Sequence, residues 1–328
     1  MAFPDDWSYR KSITLSRASG AVTNYQMKLL VGESSGAAGE DVDCGGLCKT
    51  DFSDLRFTNA AGTLLDYYIE EVSGTTPNQL ATIWIEFDSI GTSATTFYMY
   101  YGNAAATAVS SGPNTFILFD HFEAGSLDAA KWDTIGTVTV TTAQDGGSAV
   151  KLVVNDTVDN AGIKSKSNLS SCAIRGKVKF GSTYYGLFGL RRAAATLTFA
   201  SINFDGVNKC QSYISGAQHQ ETAGTNGDQT AYHVFDVEYL NNVSQSYRMD
   251  DSLIATHTTQ KLTSTDLRVI LMGYKVGAAP TIYADWLLVR QFVATEPAWG
   301  SWGSAEDLLG GAVMNSHFFV MLLAGGGR

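Results

Sequence analysis

The sequence predicts an all-β protein made of two β-sandwich domains. Its 328 residues include 33 glycines but only five prolines. Together with many Thr, Ser, Val, Tyr and Phe residues, this composition is typical of short strands separated by tight turns. Apolar and polar residues alternate in many short segments, which is the periodicity of half-buried strands. A chain of this length can bury two modest cores, so we expect two domains and little helix.

The first domain is predicted to span residues 1–105. In "WSYRKSITL" (residues 7–15), Trp7, Tyr9, Ile13 and Leu15 fall on one face of a strand. The same alternation returns in "NYQMKLLV", "ATIWIEF" and "TTFYMYYG", with Gly- and Ser-rich turns between them. These segments predict a compact antiparallel unit.

A loose stretch separates this unit from the second domain. The segment "NAAATAVSSGPN" (residues 103–114) consists almost entirely of small and polar residues, so we place a linker at residues 106–115. Ten strand-like segments follow, which predict a jelly-roll sandwich over residues 116–298.

The end of the chain, residues 299–328, is predicted to be an apolar, glycine-containing tail. Residues 308–324 carry no charge but are interrupted by Gly310 and Gly311. This run is shorter than the roughly 20 apolar residues that a membrane span needs. We therefore expect no membrane span, and a tail that docks into a homo-oligomer or a larger virion or surface assembly.

The charge of the chain argues against two classes of partner. With 22 basic and 32 acidic residues, the net charge is -10, and nucleic acid or anionic membrane would be repelled. The N-terminus "MAFPDDWSYRK" lacks the basic and apolar regions of a secretory signal, so we expect no signal peptide in this chain.

Two of the four cysteines, Cys44 and Cys48, are disulfide candidates. They bracket "GGL", a flexible turn that could bring their Cα atoms to the separation that a disulfide requires. Two reduced, partly buried thiols are the equally weighted alternative.

The stretch "YHVFDVEY" (residues 232–239) places two carboxylates, Asp236 and Glu238, on one face of a predicted strand. Their spacing overlaps that of the two acids of some glycosidases. Three interpretations remain open: the solvated face of a strand whose other residues pack inward, a ligand contact, or a catalytic pair. In "STYYGLFGLRR", Tyr184 and Arg191 are further ligand candidates, because aromatic rings stack on sugars and planar polar groups bind hydroxyls.

Part of the first domain resembles a known family. The motifs "WSYRK", "DCGGLCKTDFSDLRFTNAAGTLLDYYIEE", "ATIWIEF" and "FYMYYGN" occur in order over residues 7–104. They resemble the family called domain of unknown function 2341, a resemblance that implies no activity.

Residues 116–297 resemble the concanavalin A-like lectin/glucanase superfamily. The motifs are "FDHFEAGSLDAAKW", "YHVFDVEYLNN" followed by "SYRMDDSLIATH", and "YADWLLVRQF". Glucanases of this superfamily carry three acids at alternate positions of one strand. The positions that could be read this way here are Val234, Asp236 and Glu238, and the nucleophile position holds valine. Since both acids are needed for retaining hydrolysis, we predict that the protein is not an enzyme.

The same resemblance implies a structural calcium ion. In many relatives an aspartate of the closing strand and backbone carbonyls hold the metal. The matching positions are Asp285 in "YADW" and Gly146 in "QDGG", with Asp120 and Glu123 in the opening segment. Ca²⁺ takes six to eight oxygen ligands, so carbonyls and water would complete the site. A capped turn or a salt bridge at these acids is the alternative.

These observations lead to one functional expectation and two alternatives. We expect a non-catalytic virion component, of capsid-decoration or tail-fibre type, whose lectin-like domain binds glycans through Tyr184, Arg191, Asp236 and Glu238. The expected location is the virion or the extracellular surface. The alternatives are a secreted or cell-surface carbohydrate-binding adhesin and an active glycoside hydrolase.

Overall fold

The computed structural model describes residues 6–34, 36, 39–142, 148–153, 160–180, 186–193, 198–204, 208–214, 217–223, 231–274 and 281–308. They fall into two compact units, one drawn from Met1–Thr115 and Thr295–Arg328 and the other from Phe116–Ala294. Each unit is built from two β-sheets, which confirms the predicted all-β fold.

The first unit contains two small sheets. Strands β1, β7 and β4 lie side by side in one of them, and β3, β2, β6 and β5 form the other. The elements are β1 (Tyr9–Ser16), β2 (Val22–Gly32), β3 (Val42–Asp43), β4 (Arg56–Asn59), β5 (Tyr67–Ser73), β6 (Leu80–Ile90), β7 (Thr95–Tyr101) and a short helix α1 (Gly112–Thr115).

The segment predicted to be a loose linker is held against the first unit. Asp54 is fully buried, and its carboxylate accepts hydrogen bonds from the backbone N–H groups of Gly102 (2.8 Å) and Asn103 (3.2 Å). Arg56 donates to the carbonyl of Thr107 at 2.7 Å. These charge-assisted bonds fix the chain after β7, so residues up to Thr115 belong to the first unit.

The second unit is a larger sandwich. Its strands are β8 (Leu118–Asp120), β9 (Trp132–Ile135), β10 (Thr137–Thr142), β11 (Ser148–Val153), β12 (Asn160–Ser165), β13 (Cys172–Phe180), β14 (Gly186–Arg192), β15 (Phe199–Phe204), β16 (Asn208–Ile214), β17 (Ala217–Ala223), β18 (His233–Leu240), β19 (Ser244–Met249), β20 (Ser252–His257), β21 (Leu267–Tyr274) and β22 (Thr281–Gln291). The eight-stranded sheet has the order β10-β11-β22-β13-β18-β19-β20, with β8 also beside β22. The seven-stranded sheet has the order β17-β16-β15-β14-β21-β12-β9.

Both sheets of the second unit contribute alternate residues to one core. Phe235, Val237 and Tyr239 of β18 are fully buried there, and Phe188 and Leu190 of β14 face them from the other sheet. Because neighbouring residues of a strand point to opposite sides, the residues between these core positions define the two outer faces of the sandwich.

The segment "SYRMDDSLIATH" (residues 246–257) forms a hairpin. Strands β19 and β20 are antiparallel, with Met249 opposite Ser252. The two connecting residues, Asp250 and Asp251, have φ angles of 48° and 63°. Positive φ at both central positions is the signature of the two-residue type I′ turn.

After the second unit, the chain returns to the first. Strands β23 (Ala298–Trp299) and β24 (Glu306–Asp307) pair antiparallel with β1. The Trp299 ring packs edge-on against Phe87 at 5.7 Å, and its Nε1 donates to the carbonyl of Lys28 at 3.1 Å. The first part of the predicted tail is therefore an edge of this sheet.

Residues 309–328, the rest of the predicted tail 299–328, lie outside the described residues. Its role in docking or assembly stays a prediction. Within the part of the chain that the structure describes, no helix is both long and apolar enough to span a membrane.

Candidate functional site

The outer face of the seven-stranded sheet combines aromatic, amide and apolar side chains. Phe199 of β15 lies directly opposite Tyr213 of β16. Their rings are stacked, with centroids 5.1 Å apart and planes 4° from parallel. Both residues are partly exposed. The rings face each other in one stack, which makes an aromatic surface across two neighbouring strands.

An apolar floor continues from this surface onto the neighbouring strands. Leu187 of β14 and Ile270 and Met272 of β21 are buried, and Phe199 packs against their cluster. This cluster is separate from the core between the two sheets. The outer face therefore holds a second apolar region in addition to the sandwich core.

Amide and hydroxyl groups lie next to the aromatic pair. Ser201 and Asn203 follow Phe199 on the same side of β15, and Gln211 lies opposite Ser201. The Ser201 hydroxyl donates to Asn203 Oδ1 at 2.7 Å, and Asn203 Nδ2 donates to Gln211 Oε1. Primary amides both donate and accept hydrogen bonds, as sugar hydroxyls do.

Arg191, a predicted ligand residue, lies on this face. It is opposite Phe199 in the pairing of β14 with β15, and its Nη1 lies 3.7 Å from Met272 Sδ. Gly189, two residues earlier, allows the close approach of β15, because a Cβ atom there would lie 2.2 Å from the carbonyl oxygen of Ala200. The backbone is thus closely packed beneath the polar groups.

The central strands of this sheet carry no acid. No Asp or Glu occurs in β12, β14, β15, β16 or β21; the acids among the strands of this sheet, Asp133 and Glu221, belong to the edge strands β9 and β17. Asp133 forms ion pairs with Lys166 at 3.6 Å and with Arg268 at 3.5 Å. The five inner strands can bind a polar ligand, but they do not supply the carboxylate pair that glycoside hydrolysis uses.

Asp236 and Glu238 lie on the opposite side of the sandwich, on the outer face of the eight-stranded sheet. Arg175 contacts Asp236 at 2.6 Å and also Asp251 at 3.0 Å. Glu238 lies 3.1 Å from Arg248 and 3.9 Å from Arg290.

These two carboxylates are buried, and the interpretation of a solvated strand face needs correction on this point. Asp236 is 5% exposed and Glu238 is 8% exposed. Their charges are tolerated there because arginines from neighbouring strands lie beside them. Val234, the position matched to a nucleophile, is in the same strand.

The predicted ligand residues do not form one site. Arg191 lies on one outer face of the sandwich, and Asp236 and Glu238 lie on the other. Tyr184 lies outside the described residues. A direct contact of each with a ligand stays a prediction.

The carboxylates proposed for calcium have other partners. Asp120 accepts hydrogen bonds from the backbone of Phe122 (2.9 Å) and from Trp132 Nε1 (2.8 Å). Asp285 lies 2.9 Å from Lys177 Nζ.

Of the other two positions, Glu123 is exposed and Gly146 lies outside the described residues. Among the residues that the structure describes, no three His, Cys, Asp or Glu side chains cluster as metal ligands. Calcium binding stays a prediction that relies on backbone oxygens.

Cys44 and Cys48 are close neighbours as free thiols, Cys44 buried and Cys48 partly exposed. Hydrogen bonding to Cys48, together with burial, raises the pKa of Cys44 well above its ordinary value. The disulfide between them stays a prediction.

Sequence reasoning missed the aromatic and amide residues of the seven-stranded sheet. A signal was present in "TFASINF" and "CQSYI": the residues alternating with the core positions Ala200, Ile202 and Cys210 are aromatic or uncharged polar side chains. This pattern contains no acid, so paired carboxylates do not mark it.

Comparison with known families gives a match to part of the chain. The family described as Domain of unknown function (DUF2341) matches residues 51–135. This range starts later than the predicted 7–104 and extends into the beginning of the second unit. No curated protein matches the chain.

Several solved structures are similar to about half of the chain. One is described with the words "Prominent members of the human gut microbiota express endo-acting O-glycanases to initiate mucin breakdown". It has 14% sequence identity and a TM-score of 0.45, and the match covers 54% of this chain and 100% of that chain. The Bacillus licheniformis β-glucanase has 14% sequence identity and a TM-score of 0.43, and the match covers 54% of this chain and 98% of the glucanase chain. A glycoside hydrolase family 16 endo-glucanase from Bacteroides ovatus has 13% sequence identity and a TM-score of 0.41, and the match covers 53% of this chain and 99% of the endo-glucanase chain.

The expectation of a non-catalytic virion component is wrong on this comparison. The similar structures are named as carbohydrate-active enzymes, namely an O-glycanase and glucanases. The virion and adhesion assignments are therefore given up. At these identities the likeness concerns the fold and transfers no activity to this chain.

Proposed function

We propose that the second unit is a carbohydrate-active domain that binds a glycan chain along the outer face of the seven-stranded sheet. The observation that carries the proposal is the stacked pair Phe199 and Tyr213 beside the amides of Asn203 and Gln211. Ligand sites commonly combine an apolar, aromatic surface with a few oriented polar groups.

Each part of this face suits one part of a sugar. The apolar C–H side of a pyranose ring would pack against the aromatic stack, whose two rings already hold each other in place and need little ordering. The amides would exchange hydrogen bonds with hydroxyl groups of the same or the next sugar. No Asp or Glu of the five inner strands competes for these amides, so hydroxyl groups of a glycan can bind them.

The proposal is tested by calorimetric titration of the full chain with neutral soluble polysaccharides, such as mixed-linkage β-glucan, xylan and galactomannan. We expect at least one of them to bind, and Phe199→Ala and Tyr213→Ala each to weaken binding about tenfold or more, which equals about 1.4 kcal/mol. Tyr98→Ala, a partly exposed aromatic residue of the first unit, is the matched control.

Two outcomes would contradict the proposal: no polysaccharide binds, or both aromatic variants bind as the wild type does. Release of reducing ends, measured in the same mixtures, shows whether a bound chain is also cleaved. Asp133→Asn is the variant that tests an acid of the edge strand. This assay decides whether the domain is an enzyme, and a location at the extracellular surface stays a prediction.

A further inference from the structure

Two arginines lie side by side on the outer face of the seven-stranded sheet. Arg191 of β14 and Arg268 of β21 are directly opposite each other where these strands pair. Their neighbours Leu190 and Val269 belong to the core, so both arginines face outward. On its other side, Arg191 lies opposite Phe199 of the aromatic stack. We call Arg191 and Arg268 the arginine pair.

The arginine pair is electrostatically unfavourable as it stands. Like charges at directly opposite positions of neighbouring strands repel each other. Arg268 has an acidic partner, Asp133, at 3.5 Å, but this carboxylate also pairs with Lys166 at 3.6 Å. Arg191 contacts the uncharged sulfur of Met272 at 3.7 Å, and it forms no ion pair within the described part of the chain.

The surroundings of the arginine pair add a further positive charge. Lys164 of β12 lies opposite Ile270, two residues along β21 from Arg268, and is partly exposed. The arginine pair and Lys164 thus bring three positive charges to this face, and the carboxylate on β9 balances at most one of them. Asp266, just before β21, pairs with Arg192 at 3.1 Å. This local excess stands in a chain whose net charge is -10.

Both arginines are accessible to a ligand. The side chain of Arg268 is 22% exposed, and Arg191 is partly exposed. A guanidinium group presents N–H donors in a planar fork, which suits the oxygens of an anionic group and favours two parallel hydrogen bonds. An anion between the two guanidinium groups would bind to both of them and offset their mutual repulsion.

We propose that the arginine pair is an anionic subsite of the glycan-binding face, and that the glycan bound there is acidic. Its carboxylate or sulfate group lies between Arg191 and Arg268, while a sugar ring packs against Phe199 and Tyr213. This inference rests on the proposed function, because it assigns the class of glycan to that same face.

The test is a titration of the full chain with two pairs of polymers at low salt. Polygalacturonate and its fully methyl-esterified form carry the same sugar with and without a charge, and dextran sulfate and dextran make the same comparison for sulfate. Polyacrylate supplies carboxylates without sugar rings. Arg191→Gln is the variant, and Lys261→Gln removes one positive charge elsewhere in the second unit as the control. Unchanged melting temperatures show that both are folded.

We expect the wild type and Lys261→Gln to bind one acidic glycan at least tenfold more tightly than its neutral form and than polyacrylate. Arg191→Gln should lose this preference, and Arg191→Lys, which keeps the charge but not the fork, should retain only part of it. Added salt should weaken the preference. Phe199→Ala should weaken the binding of acidic and neutral glycans alike. The acidic polymer that binds more tightly identifies carboxylate or sulfate as the preferred group.

The anionic subsite is overturned if neither acidic glycan binds more tightly than its neutral form. Equal losses in Arg191→Gln and Lys261→Gln would also overturn it, because binding would then follow total charge alone. Polyacrylate binding as tightly as the acidic glycan would overturn the requirement for a sugar.

The outcomes also separate this inference from the proposed function. If neutral polysaccharides bind through Phe199 and a charge adds nothing, the anionic subsite is wrong and the glycan-binding face stands. If acidic polymers bind through Arg191 but Phe199→Ala has no effect, the arginine pair binds anions and the glycan-binding face is wrong.

Discussion

The buried pair of Arg175 and Asp236 allows a direct test of whether the carboxylates of β18 are structural. Asp236→Ala would leave the guanidinium of Arg175, only 4% exposed, with Asp251 as an exposed acidic partner at 3.0 Å. Removing one member of a buried ion pair costs about 3–5 kcal/mol. The ion pair that Arg175 keeps with the exposed Asp251 offsets up to about 1 kcal/mol of this loss. We therefore expect Asp236→Ala to lower the free energy of unfolding by about 2–4 kcal/mol.

Urea denaturation of the full chain at neutral pH, with Asp251→Ala as the control, measures this loss. The control should lose no more than about 1 kcal/mol, because the Asp251 side chain is 55% exposed. Replacing both members, as Arg175→Met with Asp236→Leu, should recover most of the stability, since no unpaired charge stays buried.

A specific result would refute this reasoning. If Asp236→Ala unfolds at the same urea concentration as the wild type but no longer binds a glycan, the carboxylate is a ligand contact. The structural interpretation of the two acids in "YHVFDVEY" would then be wrong.

Four further predictions follow from single features. Burial lowers the pKa of His257 below 6.5; the unfolded chain then binds more protons below about pH 6.5, so stability should fall as the pH drops through that range. His257→Gln should flatten this dependence in melting curves. Trp299→Ala, which removes the contact with Phe87, should cost about 2–3 kcal/mol in the urea unfolding of the first unit. Gly189→Ala should cost about 1–3 kcal/mol, because its Cβ meets backbone that cannot move aside, and its urea midpoint should fall. If calcium binds through Asp285, EDTA should lower the melting temperature of the wild type but not of Asp285→Asn; an unchanged wild type would exclude such a site.

The strands could be predicted because the alternation of apolar and polar residues can be seen within each short segment. In β18 the residues Phe235, Val237 and Tyr239 are buried as the alternation indicated. The burial of Asp236 could not be predicted, since it depends on Arg175, which is 61 positions away in the sequence. A pattern within one strand shows which residues share a face, but not what lies beside that face.

The pairing of residues within the candidate site could not be predicted from the sequence for a similar reason. Phe199 and Tyr213 become neighbours only through the pairing of β15 with β16, and their strands contain no catalytic motif. The strands β23 and β24 contain two residues each, too few for any periodicity, and their partner β1 is about 290 residues earlier.

The return of the chain to β1 has a consequence for the order of folding during synthesis. The edge of β1 can be covered only after the 179 residues of Phe116–Ala294 have been made. At a typical rate of about 5–20 residues per second, this takes roughly 10–35 seconds. During that interval β1 presents an open edge, which is a template for pairing with other nascent chains. Misassembly on the ribosome should therefore concentrate at β1, and faster translation of residues 116–294 would shorten the period of risk.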